Sequence, residues 1–209
     1  MKPITEPDKK YYLGVDIGSR NLKMVVIGAD KKPVIRVSSS YGSLHLQTKS
    51  ARLEKMLEEI CLQIPQGLNA VVSTGTGYSI AEACNIRNHI TEVEANLAAA
   101  RFLYPGIMTI FEIGGTDAKC IEMLKGNHRL NNRCSSSTGT SLENLASELG
   151  LNLDQLAEEA LNSCSPLNFD AVCSVFVRQD AIAQIQAGKE IKDVLMGYVN
   201  SMVDNFLHL

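Results

Sequence analysis

Two short segments constrain what this chain can become: Tyr11-Tyr-Leu-Gly-Val-Asp-Ile-Gly-Ser19 and Ile110-Phe-Glu-Ile-Gly-Gly-Thr-Asp-Ala-Lys119. Each reads as an apolar strand that runs through an acidic residue into a glycine turn and out into a second strand. Glycine in such a turn leaves backbone N–H groups open, so that phosphate oxygens can approach closely. Asp16 and Glu112 then point toward a phosphate-bound Mg²⁺ or its water shell. A lone Asp-x-Gly is more often an ordinary turn. Its recurrence, far apart in one chain, suggests two half-sites that face each other across a cleft.

The segments between them follow an α/β alternation. Strands are expected over 11–17, 22–28 and 33–39, a meander with turns at Gly18-Ser-Arg-Asn21 and Ala29-Asp-Lys-Lys32. Leu53, Met56, Leu57, Ile60 and Cys61 recur at helical spacing and predict a helix over 49–63. A strand over 68–74 ends in Gly75-Thr-Gly-Tyr78, which reads as a loop at the cleft or as a tight β–α turn. Thr91-Glu-Val-Glu94 opens a helix that Pro105-Gly106 stops. The strand pattern then returns over 107–113, 118–124 and 128–130, with a hairpin turn at Lys125-Gly-Asn127. From Thr138 the chain reads as helical, over 139–149, 153–161, 174–187 and 190–207. The repeated order of meander then helix predicts two α/β lobes, 1–95 and 96–209. The apolar helical pattern at Val203–Leu209 has no cap, so the second lobe is expected to be incomplete at its C-terminal end.

Composition excludes several partners. A net charge of −3, no Trp and 5% aromatics argue against nucleic-acid binding. The apolar runs fall short of the ~20 residues of a membrane span, and the N-terminus has no signal-peptide character. The expected location is the cytoplasm. The 6 cysteines are therefore read as reduced thiols or metal ligands rather than disulfides. Two of them stand out. Cys134 lies in Asn131-Asn-Arg-Cys-Ser-Ser-Ser-Thr-Gly-Thr140, a small polar loop before a helix, and Cys173 opens the helix after Asp170-Ala-Val-Cys173. A thiolate at a helix N-terminus is favoured by free N–H groups and the dipole, and the same groups can donate to cluster sulfurs. The alternative is that both are small core residues, as free cysteines usually are.

Taken together, Gly14-Val-Asp-Ile-Gly-Ser19, Ser73-Thr-Gly-Thr-Gly-Tyr78, Glu112-Ile-Gly-Gly-Thr-Asp-Ala-Lys119 and the two cysteine loops resemble, in order, a known family. This is the ATP-dependent activators of 2-hydroxyacyl-CoA dehydratases, grouped with the ATPase subunits of benzoyl-CoA reductase in the actin, sugar kinase and Hsp70 ATPase superfamily. The resemblance implies two actin-like (ribonuclease H-like) lobes around a nucleotide cleft, the second ending in a helical, cluster-binding segment. It implies ATP or ADP with Mg²⁺, held by Asp16, Gly18 and Ser19 on one side and by Glu112, Gly114, Gly115 and Thr116 on the other. Asp16, Glu112 and Asp117 would organise Mg²⁺ and the attacking water. Cys134 and Cys173 would supply two ligands of a [4Fe–4S] cluster shared by a homodimer. The electron donor would be ferredoxin or flavodoxin, and the acceptor a dehydratase or reductase.

The chain departs from the family pattern at three single residues and in the loop after Cys134, where Ser-Ser-Ser-Thr-Gly replaces an Ala-Ala-Gly-Thr-Gly-like run. The family's adenine-binding glycine motif is expected beyond residue 209. Glu112 stands where the family has Asp, Thr116 where it has Gln, and Arg178 where it usually has an acidic residue after the second cysteine. The extra methylene of Glu112 displaces a metal or water contact by about 1 Å, a shift that alone can cost ~100-fold in rate. These departures keep two other classes open: a scaffold or regulatory module that has lost hydrolysis, and a small-molecule kinase of the same superfamily. Lys23 and Lys119, each on the strand after a glycine turn, are read as exposed sheet lysines or as phosphate contacts.

Overall fold

Period-2 alternation builds the first sheet. In β1 (Tyr11–Ile17) every second residue, from Tyr11 through Leu13 and Val15 to Ile17, is buried, and β2 (Asn21–Gly28) buries Leu22, Met24 and Val26 on the same face. The computed structural model describes residue 4 and residues 9–40, 46–130, 138–170 and 173–207. The chain divides into two units, Met1–Phe102 and Leu103–Leu209. In the first, β3 (Pro33–Ser40), β2 and β1 form the antiparallel meander, and β4 (Ala70–Thr74) joins β1 in parallel, giving the order β3-β2-β1-β4. A parallel neighbour needs a crossover, and α1 (Leu46–Gln63) supplies it.

The buried face of this sheet packs on Leu53, Met56 and Ile60 of α1 and on Ile80 and Ala81 of α2 (Tyr78–Ala83). Helix α2 is six residues long, too short to show a helical period, which is why the sequence predicts no helix after the Gly75–Tyr78 turn. Helix α3 (Glu92–Leu103) starts from a capping box: the Glu94 amide donates to Thr91 Oγ1 at 3.2 Å, and the Thr91 amide donates to Glu94 Oε2 at 2.8 Å. The Thr91 amide and, at 2.8 Å, the Thr91 hydroxyl both donate to the Glu94 carboxylate and hold its pKa below the ordinary value.

The second unit opens with a three-stranded antiparallel sheet in the order β5-β6-β7: β5 (Thr109–Ile113), β6 (Ala118–Glu122) and β7 (His128–Leu130). The β6–β7 turn closes through the Glu122 amide on the Asn127 carbonyl, and Gly126 adopts a positive φ of 65° inside it. Four helices follow: α4 (Gly139–Glu148), α5 (Leu153–Leu161), α6 (Ser174–Gln186) and α7 (Ile191–Leu207). Their core is Leu145 and Ala146 of α4, Leu156 and Ala160 of α5, Val177 and Ala181 of α6, and Val194, Leu195 and Tyr198 of α7. Strands and helices thus alternate as the sequence predicts, in a mixed α/β fold. No helix of the described residues is long and apolar enough to cross a membrane.

Leu195 is fully buried among α4–α7. Truncation to alanine removes its packing and leaves a cavity, and the expected loss is about 3 kcal/mol of unfolding free energy, read by denaturant titration.

Candidate functional site

The two glycine turns are built alike. In the first, the Gly18 amide donates to the Asn21 carbonyl at 3.0 Å; in the second, the Gly114 amide donates to the Asp117 carbonyl at 2.8 Å. A Cβ on Gly18 would lie 3.1 Å from Asn21 O, and one on Gly114 would lie 3.0 Å from both Asp117 O and Asp117 Oδ1. Both cradles are therefore tight for any side chain. Strand register then places an acid opposite a lysine in each unit, Asp16 against Lys23 and Glu112 against Lys119.

The same pairing is used differently in the two units. Lys23 Nζ lies 3.2 Å from Asp16 Oδ2 with 60% of its side chain exposed, an ion pair largely in water. Lys119 is 5% exposed, with Nζ at 3.3 Å from Glu112 Oε2 and 3.1 Å from Asp117 Oδ2. An ammonium removed from water must be paired, and here two carboxylates pair it. The expectation of an exposed sheet lysine fails at Lys119 because Ala118 and Ile121, fully buried beside it on β6, draw that strand inward. The spacing of Lys119 from Glu112, identical to that of Lys23 from Asp16, signals the pairing with an acid but not the burial.

Around the first turn, the Ser73–Tyr78 segment packs against the end of β1. The Gly77 amide donates to the Ile17 carbonyl at 3.0 Å, and a Cβ on Gly77 would overlap Ile17 Cγ2. A Cβ on Gly75, at φ +96°, would press on both Ile17 O and Asp16 Oδ1. The segment is thus a β–α turn that walls Asp16. A cavity of 160 Å³ opens beside it, lined by Gly18, Ser19, Thr76, Gly77 and Lys49, whose ammonium donates to Ser19 O at 3.2 Å. Lys49 gave no signal in the sequence, since helix α1 alone brings it here. On the opposite side of the sheet a larger groove, 710 Å³, runs past Asp16, Lys23 and Thr74 to Val25, Val72 and Ala98.

Around the second turn, the contact comes from α4. The Gly139 and Thr140 amides donate to the Gly114 and Gly115 carbonyls at 2.9 and 3.1 Å. The helix after the Cys134 segment therefore starts on the turn itself. Cys134 lies outside the described residues, as does the rest of 131–137. Cys173 is the N-cap of α6, half-buried and not in a disulfide, and its carbonyl accepts the Val177 amide at 3.0 Å. Exposed Val175 and Phe176 follow it. Arg178 does not bring an unopposed charge: it pairs with Glu148 of α4 at 3.5 Å.

The turns fit a phosphate and its metal by three observations. The glycine cradles leave little room for a Cβ, carboxylates stand beside each, and each has a threonine hydroxyl nearby that is buried without a hydrogen-bond partner among the described residues. These are Thr74 Oγ1, opposite Asp16 in the sheet, and Thr140 Oγ1, beside Gly115.

Residues 13–209 match the BadF/BadG/BcrA/BcrD ATPase family. The chain belongs to it. Along 202 residues it is 25% identical to the (R)-2-hydroxyglutaryl-CoA dehydratase activating ATPase of Acidaminococcus fermentans, spanning 95% of this chain and 76% of that protein. The crystal structure of component A of the A. fermentans dehydratase superposes with a TM-score of 0.84 at 25% identity, covering 96% of this chain and 77% of the other. The activator of 2-hydroxyisocaproyl-CoA dehydratase from Clostridium difficile, solved with bound ADPNP, superposes at 0.82 with 25% identity over 95% and 74% of the two chains. The fold of this BadF/BadG/BcrA/BcrD ATPase is accordingly the actin-like one.

Replacing Gly77 by alanine forces Ile17, buried at the end of β1, to move, and the expected loss is about 2 kcal/mol. Gly67, at φ +83° with nothing within 4 Å of an added Cβ, is the control: Gly67→Ala pays only left-handed backbone strain, about 1 kcal/mol. Thermal unfolding of the two variants should rank them in that order.

Proposed function

We propose that this ATPase couples ATP hydrolysis to low-potential electron transfer, as an activator of a 2-hydroxyacyl-CoA dehydratase or a related reductase. The observation that carries the reading is the pair of hydrogen bonds from Gly139 and Thr140 to Gly114 and Gly115. They tie the turn proposed to bind phosphate to the helix that follows the proposed cluster ligand Cys134. A change in that turn on loss of the γ-phosphate would be felt directly by α4. Two of the structures that superpose on the chain are a dehydratase component and a dehydratase activator, the latter solved with bound ADPNP.

On this reading Asp16, Gly18 and Ser19 are the phosphate set of the first unit, with Lys23 free to swing to an anion. Glu112, Gly114, Gly115 and Thr116 are the set of the second. Asp16, Glu112 and Asp117 would hold Mg²⁺ and orient the attacking water, and the ion would supply neutralisation of phosphate charge. Cys173 at its helix N-cap and Cys134 would hold half of a [4Fe–4S] cluster, which stores one electron at a time, and a second copy of the chain would supply the other half. Val175 and Phe176, apolar and exposed next to Cys173, fit a homodimer face there. Ferredoxin or flavodoxin would be the donor.

Two measurements test this. Anaerobic reconstitution with iron and sulfide should give about four irons per dimer with a reduced-state EPR signal, both lost in Cys134→Ser. A folded protein that takes up no cluster removes the electron-transfer role. Asp16→Asn should lower Mg²⁺-dependent ATP hydrolysis by about 10–100-fold, the usual cost of disturbing a metal's organising shell; unchanged turnover would exclude Asp16 from the site.

A further inference from the structure

The two units carry one cross-strand acid–lysine pair each, and only one of the lysines is withdrawn from solvent. We infer that Lys119 is a positioning residue, the fixed counter-ion that holds the Glu112 and Asp117 carboxylates in place on either side of the second glycine turn. This assignment deepens, and rests on, the nucleotide-binding reading above.

The geometry supports a clamp rather than a ligand. Lys119 Nζ lies between carboxylates that flank the turn, 3.3 Å from Glu112 and 3.1 Å from Asp117, while its own side chain is 5% exposed. The two acid side chains are 30% and 36% exposed against 5% for the lysine, so solvent reaches the acids more than the ammonium between them. Glu112 also needs such an anchor. A glutamate has one more rotatable bond than an aspartate, and fixing a free carboxylate costs rotamer entropy at the moment of metal binding. The lysine has met that cost in advance, on a strand whose register with β5 is set by five consecutive pairs. The Gly114–Asp117 hydrogen bond closes the same loop, so carboxylates, ammonium and glycine turn form one unit. Lys23 offers the contrast, since at 60% exposure its stem is free to follow a phosphate.

A clamp and a phosphate ligand have different consequences. If Lys119 positions the acids, Lys119→Met should leave affinity for a fluorescent ADP analogue without Mg²⁺ within about twofold of the unmodified protein. It should raise the Mg²⁺ concentration that half-saturates nucleotide binding by about tenfold, the cost typical of losing a group that orients metal ligands. In turnover, kcat should fall about tenfold with KM for ATP nearly unchanged. Lys119→Arg, which keeps a cation on the strand, should recover part of the Mg²⁺ response. Should Lys119→Met fold poorly because two acids lose their partner, Lys119→Met with Glu112→Gln removes the surplus charge. That double variant should shift the Mg²⁺ requirement by less than the product of the two single changes, because part of the lysine's effect runs through the Glu112 carboxylate and the rest through Asp117.

Loss of nucleotide affinity by one factor with and without Mg²⁺ would make Lys119 a phosphate ligand and overturn the assignment. So would a lower melting temperature with every Mg²⁺ and turnover parameter unchanged, which would make the pair merely structural. If the unmodified protein binds no nucleotide, the functional reading itself falls and the positioning role falls with it, an outcome distinct from either of those.

Discussion

A hydrogen bond across three residues organises this protein twice. Gly18 to Asn21 and Gly114 to Asp117 each close a turn that is tight for a side chain, because a Cβ would lie 3.0–3.1 Å from the carbonyl that accepts the bond. Once each turn is closed, strand register follows, and register puts an acid and a lysine face to face on the strands that leave it. The charged groups of the candidate site are therefore consequences of the turns rather than independent placements.

What surrounds each turn differs, and the difference divides the labour. The first is braced from behind by the Gly75–Gly77 segment, whose close approach to Ile17 walls Asp16, and Lys49 reaches it from α1. The second is gripped by α4, whose first amides are spent on the Gly114 and Gly115 carbonyls instead of being offered to a ligand. A turn braced by a short loop can stay rigid as its ligand changes. A turn that begins a helix has a lever attached to it, which is the physical content of the coupling proposed here.

Much of this was legible in the sequence, and the failures have specific causes. The meanders, the long helices and the membership of the family could be read from periodicity, glycine turns and the ordered set of short motifs. Helix α2 was not legible, because six residues cannot display a 3.6-residue period. Lys49 was not, because its role depends on where α1 lands against the sheet. Arg178 looked like a misplaced charge until Glu148, thirty positions earlier on a different helix, proved to neutralise it.

By itself the sequence determined the alternation of strand and helix, the two glycine turns and the chemistry available at each, because these depend on neighbours within a few residues. Which lysine would remain in water was decided only by tertiary structure. Lys23 and Lys119 occupy identical positions after their turns, and no local rule separates them. Burial does: residues of β6 on either side of Lys119 go into the interior, and the energy of an ammonium depends on its distance from water and from opposite charge, quantities that exist only once the chain has folded.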